Sequence, residues 1–321
     1  MSVSARITDL GSGVLQVTQP LPWGLDHVHC YVVRDAGGLT VIDSGLGTPG
    51  TLERWRAVLL ELGDPTEGRL IITHYHPDHL GAAADLAELA RMAEIVEGEL
   101  DTEMAQHAWG EPDGGAFAAF LRLHGMPDEL AERSASEEVR LLVTPIEPSR
   151  PVNEGDSIEL AGETFDVLVL PGHADGHIAL LGRDSGRLFG GDVLLAEITP
   201  NIGRWTDTAP DPLGRYFATL DRLEQISPAI VYPGHGPLIT DVASRAAELR
   251  AHHEDRLDVA ERVVRDGART AYEVARGIWP AQSLNVHEER FALAEALAHL
   301  DRLAVLGRAR SLGEGRWAAA A

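Results

Sequence analysis

Residues 73–81 read THYHPDHLG, with three histidines and one aspartate inside six consecutive positions, 74–79. His74 and His76 alternate onto one side of an extended segment, while Asp78 and His79 fall just beyond Pro77. A chain spaced this way can direct two imidazoles at one cation and a carboxylate plus an imidazole at another. The run before it, RLIITH (69–74), predicts a buried strand, and LGAAADLAELARM (80–92) has helical apolar spacing. The cluster therefore belongs on a strand-to-helix loop. A plain histidine-rich surface loop is the competing reading, so the rest of the chain must decide.

Upstream, GVLQVT (13–18), HCYVV (29–33) and LTVID (39–43) are short apolar runs broken by turn residues and read as successive strands; residues 51–62 read as a helix. Downstream, residues 99–140 are alanine-rich and helical, with breaks at GEPDGG (110–115) and GMP (125–127), which predicts a helical insertion between strands. Four later runs then repeat one pattern, an apolar strand ending in Gly with His or Asp: FDVLVLPGH (165–173), HIALLG (177–182), RLFGGD (187–192) and AIVYPGHG (229–236). Strands separated by helices predict an α/β layered architecture. After GPLIT (236–240) the character changes to helical periodicity over 241–266, then helix, helix and a short hairpin in RARSLGEGRWA (308–318). The expected division is a catalytic domain over 1–240, with its insertion at about 99–140, and a linking helix plus small domain over 241–321.

Composition narrows the chemistry. The chain has 321 residues, 44% of them hydrophobic, and no stretch approaching eighteen consecutive apolar residues, so a soluble protein without a membrane partner is expected. The opening MSVSARITDLGSG lacks an apolar core for export, so a cytoplasmic protein is expected. Cys30 is the only cysteine; it rules out intrachain disulfides, reads as core, and leaves any metal site to His and carboxylate. All 27 basic residues are arginine, which excludes lysine Schiff-base chemistry and a Walker A phosphate loop. Of the formal charge of −23, residues 1–240 carry −22, from 15 Arg against 37 acidic residues, a surface that repels polyanions.

Taken singly, His173, Asp192 and His235 are ordinary turn residues after strands. Their order, HxHxDH, then PGH, then GD, then PGHG, resembles the metallo-β-lactamase superfamily over about residues 12–240. The resemblance implies an αββα sandwich with a two-metal site at one edge of its paired sheets. It assigns His74, His76 and His173 to one metal, Asp78, His79 and His235 to the other, and Asp192 as the bridge. An imidazole and carboxylate set makes two zinc ions the leading expectation, with iron or manganese as alternatives. Two such cations ready a bridging hydroxide as nucleophile and polarise the scissile group. Asp78 would also orient that hydroxide, and Asp43 in VIDSGLG resembles the family's aspartate that supports the ligand loop. His177 either orients a ligand or satisfies the backbone, and Tyr75 either touches substrate or packs. The ligand set resembles the glyoxalase II, lactonase and RNase Z type of site rather than the cysteine-ligand type, although Ala174 and Asp175 depart from glyoxalase II.

Residues 245–316 resemble a winged-helix domain of the β-lactamase-like protein 2 type, found on a branch of these hydrolases. One characterised branch of that kind cleaves single-stranded RNA. Arg302, Arg308, Arg310 and Arg316 would give the wing a small basic edge, but the acidic first part favours a tail that walls the pocket. The expected function is a di-zinc hydrolase of a small ester, thioester or lactone; the alternative is a single-stranded RNA endonuclease with the same site. A DNA-binding winged-helix regulator comes third, disfavoured by the intact ligand set. The pocket wall is expected from the 99–140 insertion, AEITPNIGRW (196–205) and the tail. His252 and His253 read as contacts between the two parts rather than ligands, Trp23, Trp205 and Trp279 read as packing, and a homodimer is the default assembly.

Overall fold

The computed structural model describes residues 6–35, 38–63, 68–110, 115–135, 138–280 and 284–320. Seven strands form one sheet in sequence order: β1 (Arg6–Asp9), β2 (Val14–Pro20), β3 (His27–Asp35), β4 (Gly38–Ile42), β5 (Gly68–Ile72), β6 (Met92–Gly98) and β7 (Arg150–Val152). The first four pair antiparallel and the last four parallel, with β4 common to both halves. A second sheet has the order β12 (Ile230–Pro233), β11 (Arg187–Gly191), β10 (Ile178–Gly182), β9 (Glu163–Val169), β8 (Ser157–Leu160), antiparallel except where β11 meets β12.

Three apolar clusters make the layers. Tyr31, Val33, Ile42, Ile71 and Val96 of the first sheet pack against Phe165, Val167, Ile178, Leu180 and Phe189 of the second. The first sheet's other face, Cys30, Val32, Val41, Leu70 and Ile72, packs on α1 (Pro49–Leu62) through Trp55 and Val58, and on Leu80 of α2 (Pro77–Leu80) and Leu86 of α3 (Ala83–Leu89). Between β6 and β7 the chain runs through α4 (Glu99–Ala105), a π-helical turn Gln106–Gly110, α5 (Ala116–Leu123), α6 (Asp128–Ala135) and a 3-10 turn Glu138–Leu142. Most of the GEPDGG break, residues 111–114, lies outside the described residues. The second sheet's outer face shares one apolar cluster with α7 (Pro212–Ile226), α8 (Val242–Arg265), α9 (Ala271–Ile278) and α10 (Val286–Val305). The layers are thus helix, sheet, sheet, helix. A small sheet of β13 (Arg269–Thr270), β15 (Arg316–Ala319) and β14 (Ala309–Gly313) follows. Among the described residues no helix is long and apolar enough to cross a membrane.

Local chemistry explains most boundaries. Helix α1 begins at Pro49, two residues before the expected start, because Thr48 caps it, its hydroxyl accepting from Thr51 N at 3.2 Å, and Pro is preorganised for a first turn. Thr270 and Asn285 open α9 and α10 with capping boxes, in which Glu273 and Glu288 reach back to the cap residues. The helical reading of residues 80–92 needs correction at both ends. Helix α3 stops at Leu89, Arg91 turns the chain at φ 49°, and Met92 already begins β6. No Gly or Pro marks that stop.

Candidate metal centre

The HxHxDH loop lies where β5 ends and α2 begins, and the loops after β4, β9, β11 and β12 arrive at the same place. Asp43 follows β4 at φ 62°, an uncommon conformation for a residue with a side chain. That turn aims its carboxylate back under the loop: Oδ1 accepts from Thr73 N at 2.8 Å, and Oδ2 lies 2.8 Å from His79 Nδ1. Thr73 Oγ1 donates to the same carboxylate and sits 3.0 Å from His74 Nδ1.

All seven residues that the family resemblance nominates converge. One ligand atom from each of His74, His76 and His173 lies within 4.8 Å of the others; the same holds for His74, His79 and Asp192, and for Asp78, His79 and His235. The three groups share His74 and His79. Asp192 Oδ2 sits among three imidazoles, 3.5 Å from His79 Nε2, 3.6 Å from His173 Nε2 and 3.2 Å from His235 Nε2. Asp78 Oδ2 is 3.3 Å from His235 Nε2.

The remaining ring nitrogens are held from outside the cluster. His173 Nδ1 donates to Asn201 O at 2.9 Å, and His235 Nδ1 to His27 O at 2.6 Å. With those bonds made, His74 Nε2, His79 Nε2, His235 Nε2 and Asp192 Oδ1 are buried with no hydrogen-bond partner among the described residues. Buried polar atoms normally find partners. Buried ring nitrogens and a carboxylate gathered on one another, with His74, His79, His173 and His235 braced through the second nitrogen and His76 Nδ1 2.8 Å from His173 Nε2, are the donor set that divalent cations need, so the residues present fit a metal centre.

Charge divides the cluster. Burial holds His74 and His76 well below the ordinary imidazole range, with neighbouring imidazoles adding to the effect, so both offer free lone pairs. For His235 burial acts downward, but Asp192 and Asp78 outweigh it and raise the ring to about 10. His79 is likewise raised well above its usual value, against burial, by Asp192, Asp43 and Asp78. Without a cation, protons on these two rings supply the positive charge that the carboxylates require.

His177, the weakest of the expected supporting residues, accepts from Asp192 N at 3.1 Å and stacks on His74 with ring centroids 4.7 Å apart. It touches Asp192 and His74 but belongs to none of the three ligand groups. Tyr75 is buried, and its carbonyl accepts from Trp109 Nε1 at 2.8 Å. Trp23, Trp205 and Trp279 are all half-buried. Sequence reasoning missed Thr73, Asn201 and His27. Thr73 adjoins the motif, but Asn201 and His27 act through backbone carbonyls, which leave no trace in residue type.

What the two sheets carry at their common edge is the apparatus of a metal-dependent hydrolase. Residues 23–235 match the metallo-beta-lactamase superfamily, to which the chain belongs, and residues 257–317 match the metallo-beta-lactamase-like C-terminal domain. The probable metallo-hydrolase YqjP of Bacillus subtilis is 29% identical over 325 residues, covering 94% of this chain and 95% of that protein. Among solved structures, a metallo-beta-lactamase family protein from Thermus thermophilus is 34% identical with a TM-score of 0.83, over 97% of this chain and all of that one. A beta-lactamase domain protein from Burkholderia ambifaria has a TM-score of 0.85 at 28% identity, over 100% of this chain and 95% of that one.

Proposed function

We propose that this chain is a two-zinc hydrolase of a small ester, thioester or lactone. The observation that carries the reading is the set of three overlapping ligand groups, the first linked to the second through His74 and the second to the third through His79, with buried ring nitrogens that have no hydrogen-bond partner among the described residues. His74, His76 and His173 would hold one cation, Asp78, His79 and His235 the second, and Asp192 would lie between them. Bound there, the cations supply the Lewis acidity that polarises an acyl oxygen and makes water nucleophilic at neutral pH. Asp43 and Thr73 fix the rings of His79 and His74, His177 fixes the backbone of Asp192, and the Asp78 carboxylate would orient the attacking hydroxide.

Trp205 follows Asn201 by four residues, and its ring lies 6.1 Å from Phe117 of α5 and 5.8 Å from Phe291 of α10, an aromatic cluster drawn from the insertion, the 196–205 loop and the tail. Such a cluster near the segment that braces His173 supports an uncharged, partly apolar acyl group. Three of the four arginines of the expected basic edge are engaged elsewhere. Arg302 pairs with Asp211 at 2.9 Å, Arg308 with Asp258 at 2.7 Å and with Glu261, and Arg316 donates to Ala268 O at 2.9 Å. Assays of zinc-loaded protein on thioesters, lactones and labelled single-stranded RNA test the reading. Chelator-sensitive turnover of an acyl substrate supports it. RNA cleavage that is chelator-sensitive and steep in salt, with no acyl turnover, overturns it.

A further inference from the structure

Away from the metal centre, the core between α8 and α10 holds a second set of ligand-type side chains. His253 projects from α8, and Glu295 and His299 project from successive turns of α10. Both imidazoles are fully buried and Glu295 is 8% exposed. One ligand atom of each lies within 4.8 Å of the other two.

The hydrogen bonds do not close. His299 Nδ1 lies 2.7 Å from Glu295 O, a carbonyl that can only accept, so the proton of the neutral ring is on Nδ1 and Nε2 carries a lone pair. That lone pair faces His253 Nδ1 at 3.3 Å. If His253 Nδ1 donates, its Nε2 is a buried lone pair; if it does not, two lone pairs face each other and an N–H is buried instead. In either tautomer His253 Nε2 has no partner among the described residues. Protonating a ring would place a cation in the core beside Arg256, and burial holds His253 down to about 2 and His299 to about 4. The Glu295 carboxylate is also incompletely matched. Its Oε2 accepts from Asn201 Nδ2 at 3.3 Å, but Oε1 is 3.9 Å from Arg256 Nε, beyond hydrogen-bond reach. Arg256 is committed elsewhere, its Nε donating to His252 Nε2 at 2.8 Å and its guanidinium lying 4.5 Å over the Trp279 ring.

We propose that His253, Glu295 and His299 bind a structural divalent cation of the zinc class, separate from the metal centre, that clamps α8 to α10. With His253 Nδ1 unprotonated, it and His299 Nε2, 3.3 Å apart, match neighbouring ligands on a tetrahedral ion, which lie about 3.4 Å apart at zinc–nitrogen distances of about 2.1 Å, while the proton of His253 stays on Nε2. A set of two nitrogens and one carboxylate oxygen selects zinc or cobalt over calcium or magnesium. The clamp also adjoins the catalytic loop, because Asn201 donates to Glu295 through its side chain and accepts from His173 through its carbonyl.

The test keeps this cation apart from the metal centre. Protein carrying His74→Ala, Asp78→Ala and Asp192→Ala, which dismantles the main cluster, is produced in cobalt-supplemented medium and its metal counted by mass spectrometry. The expected result is about one cobalt per chain with a tetrahedral visible absorption band, both lost on adding His299→Ala or His253→Ala. In the otherwise unaltered chain the same substitutions lower the count by about one ion. Glu295→Gln keeps nearly the same volume and serves where a histidine variant does not fold. A folded triple variant free of cobalt, or counts unchanged by these substitutions in the unaltered chain, overturns the proposal whatever the metal centre binds.

Discussion

Asp43 concentrates three demands on one carboxylate: it accepts from Thr73 N, it faces His79 Nδ1, and it holds a left-handed backbone at φ 62°. Asparagine tolerates that conformation and keeps the volume, but it cannot give His79 a charged partner. Asp43→Asn is therefore expected to fold and to bind metal ~10–100-fold more weakly, measured by competition with a chelating dye; unchanged affinity would remove Asp43 from the site. Gly234 supplies a complementary case. A Cβ there would meet Asp192 Oδ1 and come within 2.7 Å of His79 Cε1, while its own backbone does not require glycine. Gly234→Ala should therefore displace ligands rather than strain the chain. Metal occupancy is expected to fall at least ~10-fold with a thermal midpoint close to that of the unaltered protein, read by metal analysis beside calorimetry. At this scale the centre was largely legible, because HxHxDH and the strand-ending His173, Asp192 and His235 are side chains of the right type in a recurring order. What stayed hidden was support through main-chain carbonyls, as at Asn201 and His27, and pairing across 46 residues, as between His253 and His299.

Among the elements, those with an alternating or capped pattern were readable, and those defined only by what lies beside them were not. Strand β6 is the clearest instance: Met92–Gly98 carries two glutamates and continues a helical text, and it is a strand because β5 and β7 flank it in parallel. Its Glu97 is fully buried; Oε2 accepts from Thr102 Oγ1 at 3.1 Å, and Oε1 has no partner among the described residues. Burial, reinforced by Glu147 and opposed by Thr102, raises this carboxyl from 4.5 to about 7. The folded state therefore holds the proton more tightly than the unfolded chain. Stability from this group is full below about pH 4.5 and is lost as pH rises through about 7, by roughly 3 kcal/mol in all. Glu97→Gln is neutral at every pH. The difference in unfolding free energy between the unaltered protein and this variant should shift by roughly that amount between pH 4.5 and pH 8, against the unaltered protein at the higher pH, in urea titrations. A pH-independent difference would mean that water or a cation reaches Glu97.

At the scale of the molecule, the composition reading of two successive regions meets a core that runs through both. Leu168 and Leu188 of the second sheet, Leu213, Tyr216 and Leu220 of α7, Leu249 and Leu257 of α8, Leu293, Leu297 and Leu300 of α10, and Trp317 of β15 belong to one continuous apolar cluster. Polar contacts cross the same boundary: Arg204 with Asp301 at 2.6 Å, Arg302 with Asp211 at 2.9 Å, and Tyr272 N donating to His124 O at 3.0 Å. The change of periodicity near residue 240 is visible in sequence because α8 is long and amphipathic, but a shared core has no signature in local pattern, since each helix buries a stripe wherever its partner lies. Residues packed in one cluster lose their contacts together, so the 241–321 segment should not melt by itself. Calorimetry is expected to give a single transition whose calorimetric and van't Hoff enthalpies agree. A chain ending at Thr240 would leave Leu213, Phe217 and Leu220 facing water and should aggregate on expression. Two resolved transitions, or a soluble and folded 1–240 fragment, would show that the two regions are independent folding units and that α7 is stable without α8 and α10 upon it.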